Sequence, residues 1–156
     1  MDKCIGVDIG YGYTKTYTSE GKRSFPTAVT YLVPEATFSQ IEPVYVNGEA
    51  FLAGDDALRE GKGLISTRTA GFVMSKPWLA ILGYALGVNN YACEDGTIVF
   101  GVPPGQFNRT MVWSIIDTVK KASVSYKGYN YSFTRMNIKV IPQGAGIFFA
   151  YMAGHS

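Results

Sequence analysis

The first part of the chain alternates short apolar runs with turn residues, a pattern typical of consecutive β-strands. Residues 4–9 form a mostly apolar run that ends at Gly10, which predicts a buried strand. Two further β-rich segments, 13–18 and 23–29, follow after short turns and predict an antiparallel meander. Pro26 lies in the third segment. Because proline lacks a ladder N–H, we expect this strand at the edge of the sheet.

Helical patterns and further strands alternate in the second half of the chain. Segment 77–87 begins with a proline and ends with a glycine, and 106–121 has apolar residues at helical spacing, so both predict helices. Segments 97–102 and 136–141 are β-rich, and a last apolar helix is predicted near 143–153. Strand–helix–strand order favours parallel crossovers. The predicted fold is α/β, with a mixed five-stranded sheet in which an antiparallel meander is followed by parallel crossovers.

Residues of about 31–75 are less regular, and we interpret them as a small inserted subdomain. Asn47-Gly48 lies between alternating apolar runs and predicts a hairpin, followed by a short helix over 55–59. Segment 123–133 alternates in the same way and is a second candidate hairpin.

Composition and charge exclude several classes of protein. The 156 residues suit one domain, and the net charge of +2 comes from scattered basic residues, so direct nucleic-acid binding is not indicated. The start of the chain lacks the basic and apolar regions of a signal peptide. The longest apolar stretch, 78–88, is about half of the ~20 residues that a membrane span needs. We therefore expect a cytoplasmic protein without a membrane segment.

Candidate chemistry is concentrated in residues 7–15. A carboxylate such as Asp8 at the end of a buried strand is costly unless a positive group lies beside it. Gly10 and Gly12 allow backbone N–H groups to approach an anion, and Lys15 lies on the returning strand. These groups together suit a magnesium–phosphate ligand. The residue types alone are equally typical of an ordinary glycine-containing hairpin with an exposed lysine.

A family resemblance favours the magnesium–phosphate site over the ordinary hairpin. Asp8-Ile9-Gly10-Tyr11-Gly12-Tyr13-Thr14-Lys15 resembles the first phosphate motif of the actin, heat-shock chaperone and sugar-kinase superfamily. Its form is most similar to prokaryotic actin-like proteins, including the ParM (StbA) plasmid-segregation group. Segment 140–151 resembles the first connecting motif, 99–103 the Gly-Leu-Pro strand end, and 45–58 the small subdomain. The resemblance therefore spans most of the chain in the family's order.

The resemblance implies a ribonuclease H-like, actin-like ATPase domain, with 1–156 as the first domain and the second domain absent. It implies ATP and magnesium as cofactors, with Asp8 holding magnesium through water and Gln143 orienting the attacking water, so that both are catalytic. Without the resemblance, Gln143 is better explained as a helix-start residue that bonds local backbone. The residues expected to bind the nucleotide phosphates are Gly10, Tyr11, Gly12, Tyr13, Thr14 and Lys15.

The implied function is the phosphate-binding half of an actin-like ATPase that polymerises, for plasmid or DNA segregation or as a cytoskeletal element. Alternatives are half of a sugar or metabolite kinase and a non-catalytic interaction module. ATP hydrolysis is expected of a complete two-domain protein rather than of this chain alone. The expected partners are further copies of the chain, in a filament or a dimer, and a DNA-bound adaptor protein. Apolar residues of the last predicted helix, such as Phe148 and Phe149, are expected to favour association.

Overall fold

A computed structural model of the chain describes residues 3–32, 41–60, 63–92 and 94–144. These residues form ten strands and three α-helices, and none of the helices is both long and apolar enough to cross a membrane. The helix predicted near 143–153, including Phe148 and Phe149, falls from residue 145 onward outside the described residues. The strands are β1 (Cys4–Ile9), β2 (Tyr13–Thr18), β3 (Gly21–Pro26), β4 (Val29–Tyr31), β5 (Val44–Val46), β6 (Glu49–Ala53), β7 (Thr97–Val102), β8 (Ser123–Tyr126), β9 (Tyr129–Ser132) and β10 (Asn137–Pro142), and the helices are α1 (Asp55–Glu60), α2 (Lys76–Val88) and α3 (Arg109–Lys121).

The first sheet confirms the predicted mixed architecture. Its five strands lie in the order β10-β7-β1-β2-β3, with β10, β7 and β1 parallel and β1, β2 and β3 antiparallel. Strand β3 is an edge strand and Pro26 is its last residue, as the proline predicted. The predicted end of this strand at residue 29 was wrong. The chain leaves the sheet after Pro26, and Val29 starts a strand of a second sheet.

The second sheet is antiparallel, in the order β4-β6-β5-β8-β9. Both predicted hairpins are present. Each turn has two residues in the left-handed region, Asn47-Gly48 with φ of 49° and 86° and Lys127-Gly128 with φ of 52° and 77°, as two-residue hairpin turns of this type require. The sequence did not indicate that the second hairpin joins the first, which occurs through pairing of β5 with β8. The small sheet thus combines two distant segments of the chain.

Helix α2 lies between the two sheets, in contact with β1 on one side and with β4, β5, β6 and β8 on the other. Every residue from Pro77 to Gly87 is buried, as expected of a helix that is apolar on all sides. The Ser75 hydroxyl caps its first turn by accepting from the Trp78 N–H. The predicted boundaries of this helix are therefore close to those of the structure.

Helix α3 begins three residues later than the pattern predicted. The preceding segment, Pro104–Gln106, forms a turn of 3₁₀-helix, and Asn108 then caps α3 by accepting the Met111 N–H at 2.9 Å. The cap residue rather than the apolar spacing thus determines where the helix starts. Residues Ile115 and Val119 form its buried stripe.

The two faces of the first sheet have different surroundings. One face, here called the core face, carries Ile5, Val7 and Phe100, which belong to the main hydrophobic core together with residues of α2 and α3. The opposite face, here called the site face, carries Tyr17 and Val99, which form a separate small cluster. Because side chains alternate along β1, Asp8 points to the site face.

Candidate functional site

The structure brings Asp8 and Gln143 together across 135 positions of the sequence. The Gln143 Nε2 donates a hydrogen bond of 2.6 Å to Asp8 Oδ1. The Gln143 backbone N–H donates to the Val102 carbonyl at 2.7 Å, which fixes the residue just beyond β10. Strand β7 separates β10 from β1, and Gly101 of β7 pairs with Ile141 of β10 at this level of the sheet. Since Gly101 has no side chain, it leaves room for the two side chains to meet above it.

Lys15 lies on the same face as Asp8. The two residues are direct partners in the antiparallel pairing of β1 with β2, and the lysine is exposed. Side chains of directly opposed residues project to the same side of a sheet, so the ammonium extends over the site face. The predicted combination of a carboxylate, a lysine and a glutamine is therefore present at one end of the first sheet, where β1 and β10 finish.

Burial leaves the charge of Asp8 incompletely compensated. Burial raises the pKa of the Asp8 carboxyl, while the hydrogen bond from Gln143 and the charge of Lys15 act in the opposite direction and are smaller. Burial also raises the pKa of Tyr17, and the charge of Asp8 raises it further. The ionised carboxylate thus has a residual free-energy cost, which an additional cation at the site would lower.

The two glycines of the β1–β2 turn have different structural roles. The Gly10 N–H donates to the Tyr13 carbonyl at 3.1 Å, and a Cβ at Gly10 would lie 2.8 Å from that oxygen. Gly10 is therefore required by the turn itself, and its N–H is already used. A Cβ at Gly12 would meet nothing within 4 Å. Within the described parts of the chain, no hydrogen bond uses the N–H of Tyr11 or Gly12, so these two remain as donors for a ligand.

The structure does not bring every residue of the predicted motif to the site. Thr14 is fully buried and its hydroxyl shares a hydrogen bond of 2.7 Å with that of Thr27, on the core face. Its side chain therefore supports the turn rather than the site face. The Tyr13 side chain is 63% exposed, and its carbonyl belongs to the turn.

Sequence reasoning missed Thr67, which holds the tip of the turn. Its hydroxyl donates to the Tyr11 carbonyl at 2.8 Å, and the residue is 9% exposed. The carbonyl oxygens of Tyr11 and Gly12 are both engaged, the latter by the Thr27 N–H at 2.9 Å, so the orientation of this peptide segment is fixed. The sequence signal was a run of hydroxyl residues within the irregular segment of about 31–75, which we interpreted as a small inserted subdomain.

The donor set around Asp8 indicates which kind of metal ion the site could hold. Among the residues that the structure describes, no group of three or more His, Cys, Asp or Glu side chains is placed to bind a metal. A single carboxylate does not make a metal site by itself. Magnesium, however, is commonly held by one or two carboxylates, water and the phosphates of a ligand. Asp8 suits a magnesium ion, and Lys15 and the free N–H groups of the turn suit the phosphates that would arrive with it.

Similar folds are found among solved structures. A non-polymerisable quadruple mutant of pCBH ParM matches with a TM-score of 0.70 and 21% identity, over 97% of this chain and 51% of that one. The archaeal actin homologue Ta0583 matches with a TM-score of 0.71 and 19% identity, over 99% and 49%. The AlfA filament from B. subtilis plasmid pLS32 matches with a TM-score of 0.64 and 18% identity, over 94% and 58%. The chain thus spans about half the length of these structural relatives.

A family model gives a more direct assignment. No curated protein sequence matches the chain significantly. The model of the N-terminal domain of actin-like proteins matches residues 6–146, which include the β1–β2 turn, all of both sheets except the first two residues of β1, and Gln143. Of the interpretations that the sequence left open, this match supports an actin-like protein. The chain belongs to the family of actin-like proteins and matches their N-terminal domain.

Proposed function

We propose that this chain is the phosphate-binding half of a polymerising actin-like ATPase. The observation that carries the proposal is the hydrogen bond between Asp8 and Gln143, which places the carboxylate and the amide beside the β1–β2 turn. Lys15 would neutralise phosphate charge, and the N–H groups of Tyr11 and Gly12 would donate to phosphate oxygens. Thr67 would keep this turn in position.

The proposed cofactors are ATP and magnesium. Two structural relatives support a nucleotide, because an AlfA filament and a non-polymerising MamK mutant were each solved bound to AMPPNP. When bound, magnesium would supply positive charge to the phosphate oxygens. Asp8 would hold it through water. The burial that raises the pKa of its carboxyl supports this role, because a nearby cation would stabilise the ionised form. Gln143 would release Asp8 and orient the water that attacks the terminal phosphate.

The proposed biological role is self-association into filaments, for plasmid or DNA segregation or as part of a cytoskeleton. Its support is the family match together with relatives whose structures are filaments, such as AlfA and MamK. A DNA-bound adaptor would be the partner in the segregation role. Because the chain spans about half the length of these relatives, we assign efficient ATP hydrolysis to a longer protein that contains both halves.

Calorimetry of the chain with magnesium and three ligands tests the phosphate site. We expect weak binding of ATP, GTP and inorganic tripolyphosphate with similar affinities, because only phosphate contacts are available and burial of the base contributes little. Lys15→Ala should weaken all three by about tenfold or more, since a hydrogen bond to a charged group is lost. The matched control is Lys127→Ala, which removes an exposed lysine at the tip of the β8–β9 hairpin.

Two results would contradict the proposal in different ways. Tight, adenine-selective binding would show that the chain contains base contacts and is more than a phosphate half-site. Absence of tripolyphosphate binding at millimolar concentration would remove the phosphate site altogether.

A further inference from the structure

Helix α3 exposes a tryptophan for which the described fold provides no cover. The Trp113 side chain is 64% exposed, whereas the other tryptophan of the chain, Trp78, is 4% exposed. The buried stripe of the helix, Ile115 and Val119, faces the core, and Trp113 lies on the outer side. A tryptophan is among the residues that contribute most to protein–protein interfaces, so its position on an outer helix face indicates a contact surface.

Charged residues flank Trp113 symmetrically along the helix. Arg109 lies four residues before it and Asp117 four residues after it, so that each is about 6 Å away along the axis and on the same stripe. Both residues are exposed. We call Arg109, Trp113 and Asp117 the α3 ridge.

The two charges of the ridge are weakly engaged within the chain. Among the described residues, no ion pair involves Arg109, and its position in the first turn is unfavourable for a cation because of the helix dipole. Asp117 makes an ion pair of 3.0 Å with Lys121, in which both side chains are more than half exposed. Such a surface pair is worth little and can exchange partners.

We propose that the α3 ridge binds the α3 ridge of a second copy of this chain around a two-fold axis at Trp113. In an antiparallel arrangement, Arg109 of one copy faces Asp117 of the other, and the reverse pair forms at the same time. The two Trp113 rings meet between these ion pairs. A parallel arrangement would instead place Arg109 against Arg109 and Asp117 against Asp117. Charge complementarity therefore selects a second copy in the antiparallel orientation, and the resulting two-fold contact is isologous.

This surface is separate from the candidate nucleotide site. Helix α3 packs on the core face of the first sheet, while Asp8 and Gln143 meet on the site face. The inference rests on the self-association part of the proposed function, and it specifies a side-by-side contact that needs no nucleotide. Loss of phosphate binding would therefore leave this contact intact, and loss of the contact would leave phosphate binding intact.

Sedimentation of charge-swapped variants without nucleotide tests the arrangement. We expect the wild-type chain to show concentration-dependent association that Trp113→Ala weakens at least about tenfold. Arg109→Asp or Asp117→Arg should weaken it similarly, because each reversal makes both ion pairs repulsive. The double variant Arg109→Asp, Asp117→Arg restores opposite charges and should recover the wild-type constant to within about threefold. Tyr45→Ala, which removes a 45% exposed aromatic side chain of the second sheet, is the matched control.

Tryptophan emission gives a second measurement of the same contact. In a Trp78→Phe variant, Trp113 is the remaining tryptophan, and its emission should shift to shorter wavelength and become less accessible to iodide as concentration rises. A chain that stays monomeric at high concentration would overturn the proposal. Association that Trp113→Ala leaves unchanged, or that the double swap fails to restore, would also overturn it.

Discussion

Gln143 reaches over the end of β7, at Gly101, and donates a hydrogen bond of 2.6 Å to Asp8. Asp8 lies on β1 and Gln143 directly follows β10, and these two strands are not adjacent in the sheet. The bond lowers the pKa of the Asp8 carboxyl, yet the larger effect of burial leaves that pKa raised. The site is therefore built to hold a carboxylate whose charge the chain alone does not fully stabilise. A protein optimised only for stability would place a neutral residue there.

Asp8→Asn should accordingly stabilise the chain at neutral pH in the absence of magnesium. Because the folded pKa of Asp8 is raised above its ordinary value of 3.8, the folded state binds a proton more tightly than the unfolded state. The wild-type free energy of unfolding therefore decreases as pH rises from about 3.8 through the raised pKa, because the proton that favours the folded state is lost. Urea unfolding between pH 3 and 8 should show that the advantage of the variant disappears at the acidic end.

The control for this pH series is Glu20→Gln, at an exposed position in the β2–β3 turn. Its stability should differ from wild type by less than about 0.5 kcal/mol across the series. An Asp8→Asn chain that is less stable than wild type at pH 7 would show that the carboxylate is well compensated in the fold.

The two turn glycines should separate folding from ligand binding. In Gly10→Ala, the new Cβ would lie 2.8 Å from a backbone oxygen of Tyr13, so the turn must shift, at a cost of about 1–3 kcal/mol. In Gly12→Ala, the Cβ meets open space, and stability should stay the same or rise by up to about 1 kcal/mol. Tripolyphosphate binding by Gly12→Ala should nevertheless fall about tenfold or more, because the methyl group blocks access to a donor N–H.

Chemical denaturation and calorimetry on the same two variants check this pair of outcomes. Wild-type affinity in Gly12→Ala would mean that the open space above the turn is not where phosphate binds.

The sequence predicted the features of this fold that depend on local patterns. Alternation and turn residues are local, so the β1–β2–β3 meander, the Asn47-Gly48 turn and helix α2 were all recognised. The pairing of β5 with β8 was not, because it joins strands separated by more than 70 residues and no local period encodes which strands meet. The early exit of the chain at Pro26 was missed for the same reason, since Val29 remains β-rich but belongs to the other sheet.

In the candidate site, too, features set by local patterns were predicted from the sequence and long-range contacts were not. Asp8 and Lys15 lie on one short hairpin, and their common face follows from strand periodicity. Gln143 was identified only through the family resemblance, and its contact with Asp8 depends on the order of three parallel strands. Thr67 could not be predicted, because a loop without periodicity gives no indication of the carbonyl that a hydroxyl will reach.

Gly87→Ala should destabilise the fold although alanine favours helices. The substitution lies in α2, where alanine gains about 1 kcal/mol over glycine in helix propensity. The new Cβ, however, would lie 2.2 Å from the ring of Tyr126, which is 4% exposed. Overpacking of this kind costs about 1–3 kcal/mol. Because this contact is very short and the ring is buried, we expect a cost at the upper end of that range. We expect a net loss of about 1–2 kcal/mol, a Tm decrease of about 2–8 °C for a chain of this size.

The control for the helix variant is Gly71→Ala, where a Cβ would meet nothing within 4 Å. A second variant relieves the clash: Tyr126→Leu combined with Gly87→Ala should be more stable than the sum of the two single changes predicts. Additive effects would show that the ring is not the obstacle.

Asp8→Ala in a complete two-domain protein should abolish ATP turnover with little loss of folding. The substitution removes the carboxylate proposed to hold magnesium, and electrostatic groups at such a site are commonly worth about a hundredfold or more in rate. Folding should tolerate the change because the carboxylate carries an uncompensated desolvation cost, which its removal relieves.

Gln143→Ala should lower kcat while leaving nucleotide affinity near wild type, since the amide is proposed to act on water rather than on phosphate. Phosphate release and nucleotide binding measured on both variants, with Lys127→Ala as the surface control, distinguish these roles. Unchanged turnover in Asp8→Ala would contradict the magnesium role, and a loss of binding in Gln143→Ala would reassign the glutamine to the nucleotide.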